Sequence, residues 1–190
     1  MVYEQTITLR DGRACRLRNG TEADGQTLLD VFNLTHEQTD FLLSYPEEHT
    51  MTVQDESKYL REKAHSKREI EILAEVGGAV VGTAGIEAVG NKYKTRHRCD
   101  FGISVDRAYW GLGIGRALLQ ACITCARTAG FEQMELQVVS GNERAIALYR
   151  KAGFVEYGRN PRGFRSRLSG YQELVSMRLE LTPRPTEAEA

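Results

Sequence analysis

Three glycines at alternate positions, Gly111, Gly113 and Gly115, stand between an alternating apolar run and a helical pattern. This junction constrains the chain more than any other stretch. Phe101, Ile103 and Val105 alternate as one face of a strand. After the glycines, Ile114, Ala117, Leu118, Ala121, Cys122 and Cys125 recur at i, i+3, i+4 and i+7, the period of a helix laid on a sheet. The glycines therefore fall where strand becomes helix. The first turn of a helix carries N–H groups without intrahelical acceptors and a partial positive charge, so it attracts anions. Glycine admits a ligand close to the main chain because it has no Cβ. The junction reads as a diphosphate cradle. No Lys-Ser or Lys-Thr follows Gly115, which excludes a Walker loop. A dinucleotide fingerprint fits poorly. Arg116 takes its third glycine position, and the next strand ends in Val138-Val139 without an acidic residue.

A second pattern lies one helix and one strand further on. Asn142–Phe154 reads N-E-R-A-I-A-L-Y-R-K-A-G-F, after a stretch Met134–Val138 that alternates as a half-buried strand. Asn142 is a good helix N-cap and Gly153 a good residue just past the helix end, with Ala145, Leu148 and Ala152 as the expected apolar face. The two motifs, in this order, resemble the signatures of the GCN5-related N-acetyltransferase (GNAT) family. These are an x-x-G-x-G/A loop before an apolar helix, then N-x-x-A-x-x-L-Y-x-K-x-G-F, here matched at every position. One departure is Trp110, where the family usually carries Arg or Gln. The likeness runs from about Ile70 to Leu181 and more loosely over the N-terminal part.

The resemblance implies an α/β (α+β) fold. Its mixed, mostly antiparallel central sheet has about seven strands, with helices on both faces and a V-shaped splay between the fourth and fifth strands. It implies acetyl-coenzyme A as cosubstrate. The pantetheine arm would lie in the splay against Ile103, Ser104 and Val105, and the diphosphate on Trp110, Gly111, Leu112, Gly113, Ile114, Gly115 and Arg116. Asn142, Ala145 and Lys151 are implied as further contacts. At Asn142 a plain cap, and at Arg116 a solvated side chain, are the competing readings. Tyr149 matches the family's tyrosine that protonates the departing thiolate. For the base, the candidates are Asp100 on the cradle strand, where many relatives carry Glu, the rival Glu75, or ordered water. The acceptor is then a primary amine, on a small metabolite or a protein N-terminus, that attacks directly, because no cysteine sits with a histidine as a nucleophile. The alternative is a coenzyme-binding sensor on the same fold without catalysis.

The rest of the chain supports a single domain over residues 1–181, with 182–190 as a frayed tail. Thr6–Leu9 and Ala14–Arg18 flank an Asp11-Gly12 turn, and Thr21–Asp24 looks like a capping box ahead of a helix with Leu28, Leu29 and Phe32 inward. Phe41–Pro46 is an apolar connector, and Thr52 opens a helix through about His65. In the family resembled, these two helices and their connector line the acceptor site. Glu69–Val76 and Val80–Val89 form a hairpin around Gly77-Gly78, with Gly82 and Gly85 marking a bulge. A strand near Val155–Tyr157, a loop Arg159–Ser169 and a closing strand through Val175, Met177, Leu179 and Leu181 follow. That loop's Arg159, Arg162, Arg165 and Arg167 suggest an acceptor with a carboxylate or phosphate beside its amine.

Composition narrows the partners. At 190 residues, 41% apolar and 27% charged, with net charge −1, no bulk field steers the chain to nucleic acid or membrane. No apolar run is long enough for a bilayer, and the N-terminus lacks the basic and apolar regions of a signal peptide. Four scattered cysteines suit reduced thiols in a cytoplasmic compartment. No metal site is expected, since Cys122 and Cys125 share an apolar helix face and the four histidines are scattered. A homodimer is compatible with the resemblance, but no stretch specifies its interface.

Overall fold

The computed structural model describes residues 1–182. The expected tail therefore lies outside the described residues, Thr182 excepted. Strands β1 (Glu4–Thr8) and β2 (Ala14–Asn19) form the first hairpin. Helices α1 (Gly25–Gln38) and α2 (Val53–His65) follow, then β3 (Ile70–Val76), β4 (Ala79–Ala88) and β5 (Arg98–Val105). The C-terminal part alternates as α3 (Ile114–Thr128), β6 (Gln133–Val139), α4 (Glu143–Lys151), β7 (Val155–Ser166) and β8 (Gly170–Glu180). All eight strands join one sheet in the order β1-β2-β3-β4-β5-β6-β8-β7. Every neighbouring pair is antiparallel except β5 and β6.

The helix ends follow local chemistry. The Thr52 hydroxyl accepts from the Asp55 N–H at 3.3 Å, and the Asp55 carboxylate accepts from the Thr52 N–H at 2.8 Å, a reciprocal cap on α2. Gly113 caps α3 with φ 106°, and Gly111 precedes it at φ 85°, both in the left-handed region that favours glycine. Asn142 caps α4 by accepting from the Ala145 N–H at 3.2 Å.

Strand alternation divides the core into two layers. Ile70, Ile72, Ala74 and Val76 of β3 join Cys99 and Phe101 of β5 beneath Leu118, Cys122 and Cys125 of α3. The opposite face is thinner, with Leu73 meeting Leu28 of α1 and Leu60 of α2. Among the described residues, no helix is long and apolar enough to cross a membrane.

Four expectations need correction. The sheet has eight strands rather than about seven. The stretch expected as a loop, Arg159–Ser169, belongs mostly to β7, which runs to Ser166 against β8. Its Gly/Pro/Arg composition hides the strand because the ladder breaks twice. Pro161 sits within the second break, between Asn160 and Phe164, where its missing N–H costs no ladder bond. On α4 the buried residues are Ile146 and Tyr149, whereas Ala145, Leu148 and Ala152 are only half-buried. On α1, Leu28, Val31 and Thr35 are buried, while Leu29 and Phe32 are half-exposed. The bulge expected from Gly82 and Gly85 is present. Ala74 pairs with Gly82 but Glu75 with Val80, leaving Val81 as the extra residue.

Candidate active site

The parallel pairing of β5 with β6 covers only Arg98 with Gln133, Cys99 with Met134 and Asp100 with Glu135. Beyond Asp100 the two strands diverge, while β5 stays paired to β4 through Val105 and β6 to β8 through Val139. The splay thus lies between the fifth and sixth strands of this sheet. They are the same two segments that the resemblance points to, one place later in the count than expected. The main-chain groups of β5 that face β6 past the apex have no strand partner there.

A cleft of about 640 Å³ opens on this gap. Ile103, Ser104 and Val105 form one wall, and Gly111, Gly113, Ile114, Gly115 and Arg116 form its floor at the start of α3. The first intrahelical bond here is from Ala117 N–H to Gly113 C=O, so the N–H groups of Ile114, Gly115 and Arg116 have no helical acceptor. Asn142, Ala145, Tyr149 and Lys151 complete the cleft from α4. Leu112 is the one expected coenzyme residue that does not line it. Its carbonyl accepts from the Arg10 N–H at 3.1 Å, and its side chain packs on the core.

Trp110, the departure from the family pattern, donates its indole N–H to the Val105 carbonyl at 2.6 Å. The guanidinium groups of Arg107 and Arg144 lie over its ring, at 5.7 Å and 5.2 Å from the centroid. Arg10 donates to the Gly111 carbonyl at 3.0 Å. Arg10 and Arg144 thus meet the glycine loop, and together with Arg116 and Lys151 they line the cleft. Arg10 and Arg144 were invisible as site residues in the sequence. Arg10 follows an N-terminal strand far from the loop, and Arg144 occupies a variable position of its motif.

Tyr149 reaches the apex from the α3/α4 face. Its ring meets Phe101 edge-on at 6.2 Å, and it is 7% exposed. Among the described residues its hydroxyl has no hydrogen-bond partner, and burial pushes its pKa up to about 12. It keeps its proton at neutral pH.

Asp100 lies on the opposite face, because side chains alternate along β5. Burial, and then the neighbouring Glu135, raise its pKa above the usual carboxylate range. Glu135 is held low by Arg98, whose guanidinium donates to it at 2.6 Å. Asp100 stands at the apex of the splay without lining the cleft. Glu75 is elsewhere, near the far end of β3, where Arg18 donates to it at 3.1 Å. The structure thus separates the two base candidates. Further along the Asp100 face, Glu71 accepts from the Tyr59 hydroxyl at 3.1 Å, and desolvation raises it to about 8.

Arg159, Arg162 and Arg165 of β7, and Arg167 just past its end, do not line this cleft. Arg159 pairs with Glu156 and Glu173, Arg167 pairs with Glu47, and Arg162 and Arg165 stack on Tyr171. Among the described residues, no cluster of three metal-ligating side chains occurs.

A family model described as "Acetyltransferase (GNAT) family" matches residues 33–154. The chain belongs to the GNAT acetyltransferase family. The N-alpha-acetyltransferase RimI of Mycobacterium tuberculosis is 39% identical over 92 residues, 48% of this chain and 56% of that protein. The matches cover between 22% and 56% of the length of the curated relatives. A GNAT-family acetyltransferase from Streptococcus pneumoniae superposes with TM-score 0.84 at 27% identity, covering 87% of this chain and 99% of that one. The putative acetyltransferase yncA of Salmonella typhimurium, solved with its cofactor acetyl-CoA, superposes with TM-score 0.79. It is 21% identical, covering 93% of this chain and 99% of that one, and its likeness is one of fold.

Proposed function

We propose that this chain is an acetyl-CoA-dependent N-acetyltransferase acting on a primary amine by direct attack. One observation carries the reading: a buried tyrosine with a free hydroxyl stands at the apex of a strand splay whose mouth opens on uncapped helix amides. The residues present suit the coenzyme. Free amides at the start of α3, glycines without Cβ and four basic side chains match a diphosphate in charge and shape. Acetyl-CoA, when bound, supplies the activated carbonyl. The unpaired edge of β5 then offers main-chain partners to its amide-bearing arm.

The chain's own part in the reaction is proton handling. Asp100 takes the proton that the amine gives up as its nitrogen bonds to the carbonyl carbon, directly or through a water. Tyr149 delivers a proton to the sulfur as the C–S bond breaks, and recovers one from solvent. Burial keeps the phenol protonated, so it is available to donate to the sulfur as charge develops there. Glu75 has no part, because Arg18 engages it away from the apex. The domain is proposed to comprise residues 1–181, working with no metal.

Three measurements test this reading. Arg144→Ala is expected to weaken coenzyme A binding about tenfold in calorimetry, the loss of one charge-assisted contact. Unchanged affinity would remove Arg144 from the coenzyme site. Tyr149→Phe should retain coenzyme affinity and lose at least about tenfold in kcat, followed by thiol release. A variant as fast as the parent would refute the proton-donor role. Deprotonated Asp100 is the active form, so activity should rise with pH through its raised pKa. Asp100→Asn should abolish that acidic limb of the kcat/KM profile, and a persisting limb would transfer the role elsewhere.

A further inference from the structure

Three connections meet at the end of the sheet opposite the cleft. They are residues 66–69 before β3, residues 89–97 between β4 and β5, and residues 129–132 before β6. Arg68 joins them, since its guanidinium donates to the Arg96 carbonyl and lies 4.3 Å over the Phe131 ring. The Glu132 N–H donates to the His97 carbonyl at 2.8 Å, which ties the third connection to the second. The second is a tight turn. The N–H groups of Thr95 and Arg96 both donate to the Lys92 carbonyl at 2.9 Å, and the Arg98 N–H donates to the Thr95 carbonyl at 3.1 Å. Lys92, Tyr93, Lys94 and Arg96 stand exposed on it.

These connections carry five basic side chains, Lys67, Arg68, Lys92, Lys94 and Arg96, against two acidic ones, Glu69 and Glu132. Glu69 is already engaged by Lys63 at 3.1 Å and by the Ala88 N–H at 3.0 Å. Among the described residues, none of the five basic groups pairs with a carboxylate. The excess is local, in a chain whose net charge is −1. Strand β5 holds it about 24 Å from the cleft, the length of a strand of eight residues.

We propose that this surface binds a single-stranded polynucleotide, apart from the coenzyme cleft. Clustered cations that have no carboxylate of their own suit a row of phosphates. Tyr93 decides between polyanions. Arg96 lies 4.7 Å over its ring, yet the residue is 80% exposed, so the ring still presents a face to solvent. An aromatic ring backed by a guanidinium is a platform on which an unpaired base stacks. An acidic peptide brings carboxylates but no flat ring for that face, and a duplex keeps its bases stacked on one another.

The test follows the anisotropy of labelled oligouridylate and oligothymidylate of about twelve nucleotides added to the full chain. Saturating coenzyme A is present throughout and occupies the cleft. Between about 50 and about 200 mM salt, log K should fall against log salt with a slope of about −3, the value for five phosphate contacts. Binding of either polymer meets the proposal, and the pair tells RNA from DNA. Lys92→Ala/Lys94→Ala should weaken binding at least about tenfold and make the slope shallower by about one. Tyr93→Ala should weaken it at least about fivefold and leave the slope unchanged. Both variants should keep the parental affinity for coenzyme A. No binding at about millimolar protein and low salt overturns the proposal, as does binding that coenzyme A abolishes, which would put the oligonucleotide in the cleft. Equal binding of poly-L-glutamate, with no loss in Tyr93→Ala, overturns it in favour of an acidic polypeptide. Should the double variant fail to fold, Lys67→Ala and Tyr93→Ala, both at exposed positions, decide: weaker binding in both supports the surface, and parental affinity in either refutes it.

Discussion

The structure depends on an unequal competition for main-chain hydrogen bonds. Strand β5 is bound along its length to β4, from Cys99 to Val105, and β6 along its length to β8. Between β5 and β6 the ladder stops at Asp100 and Glu135. Each strand is secured by its antiparallel neighbour, so the two can part without either leaving the sheet. Phe101 and Tyr149 pack edge to face just past the branch point and fill the space below it. A split sheet exposes donors and acceptors that a folded chain cannot leave unsatisfied cheaply. A ligand with amide groups of its own is one way to satisfy them.

Charge is concentrated where the split opens. The net charge of the chain is −1, yet Arg10, Arg116, Arg144 and Lys151 share one cleft with the start of α3. Trp110 contributes to this indirectly. Its indole N–H is bound to the Val105 carbonyl, and Arg107 and Arg144 lie over its ring. The position that usually supplies Arg or Gln in the family therefore organises neighbouring guanidinium groups. On the other face the local balance is acidic, with Glu71, Asp100 and Glu135 along β3, β5 and β6. The two faces thus differ in charge, basic at the mouth of the split and acidic on the other side.

Much of this was legible in the sequence because it is local. The strand–glycine–helix junction, the capping residues Thr52 and Asn142, and the hairpin at Gly77-Gly78 each depend on residues within a turn of one another. The cleft lining followed from the same locality, since all but Leu112 of the expected coenzyme residues line it. What was not legible depends on distant pairing. Asp40 meets Ser166 and Arg10 meets Gly111 across more than a hundred residues, and no spacing rule reports either contact. The tip of β7 was hidden for a related reason. Its strand character comes from β8, while its own Gly, Pro and Arg residues read as a loop. The contact of Arg18 with Glu75, 57 residues apart, is likewise one that no spacing rule reports.

The central claim is that the amides opening α3 and the free edge of β5 hold one ligand together. Amide hydrogen exchange with and without saturating coenzyme A addresses it most directly. The account predicts slower exchange at Ile114, Gly115 and Arg116 together with Ile103 or Val105, and little change along β1 and β2. Calorimetric binding of coenzyme A with unchanged exchange at both segments would contradict it.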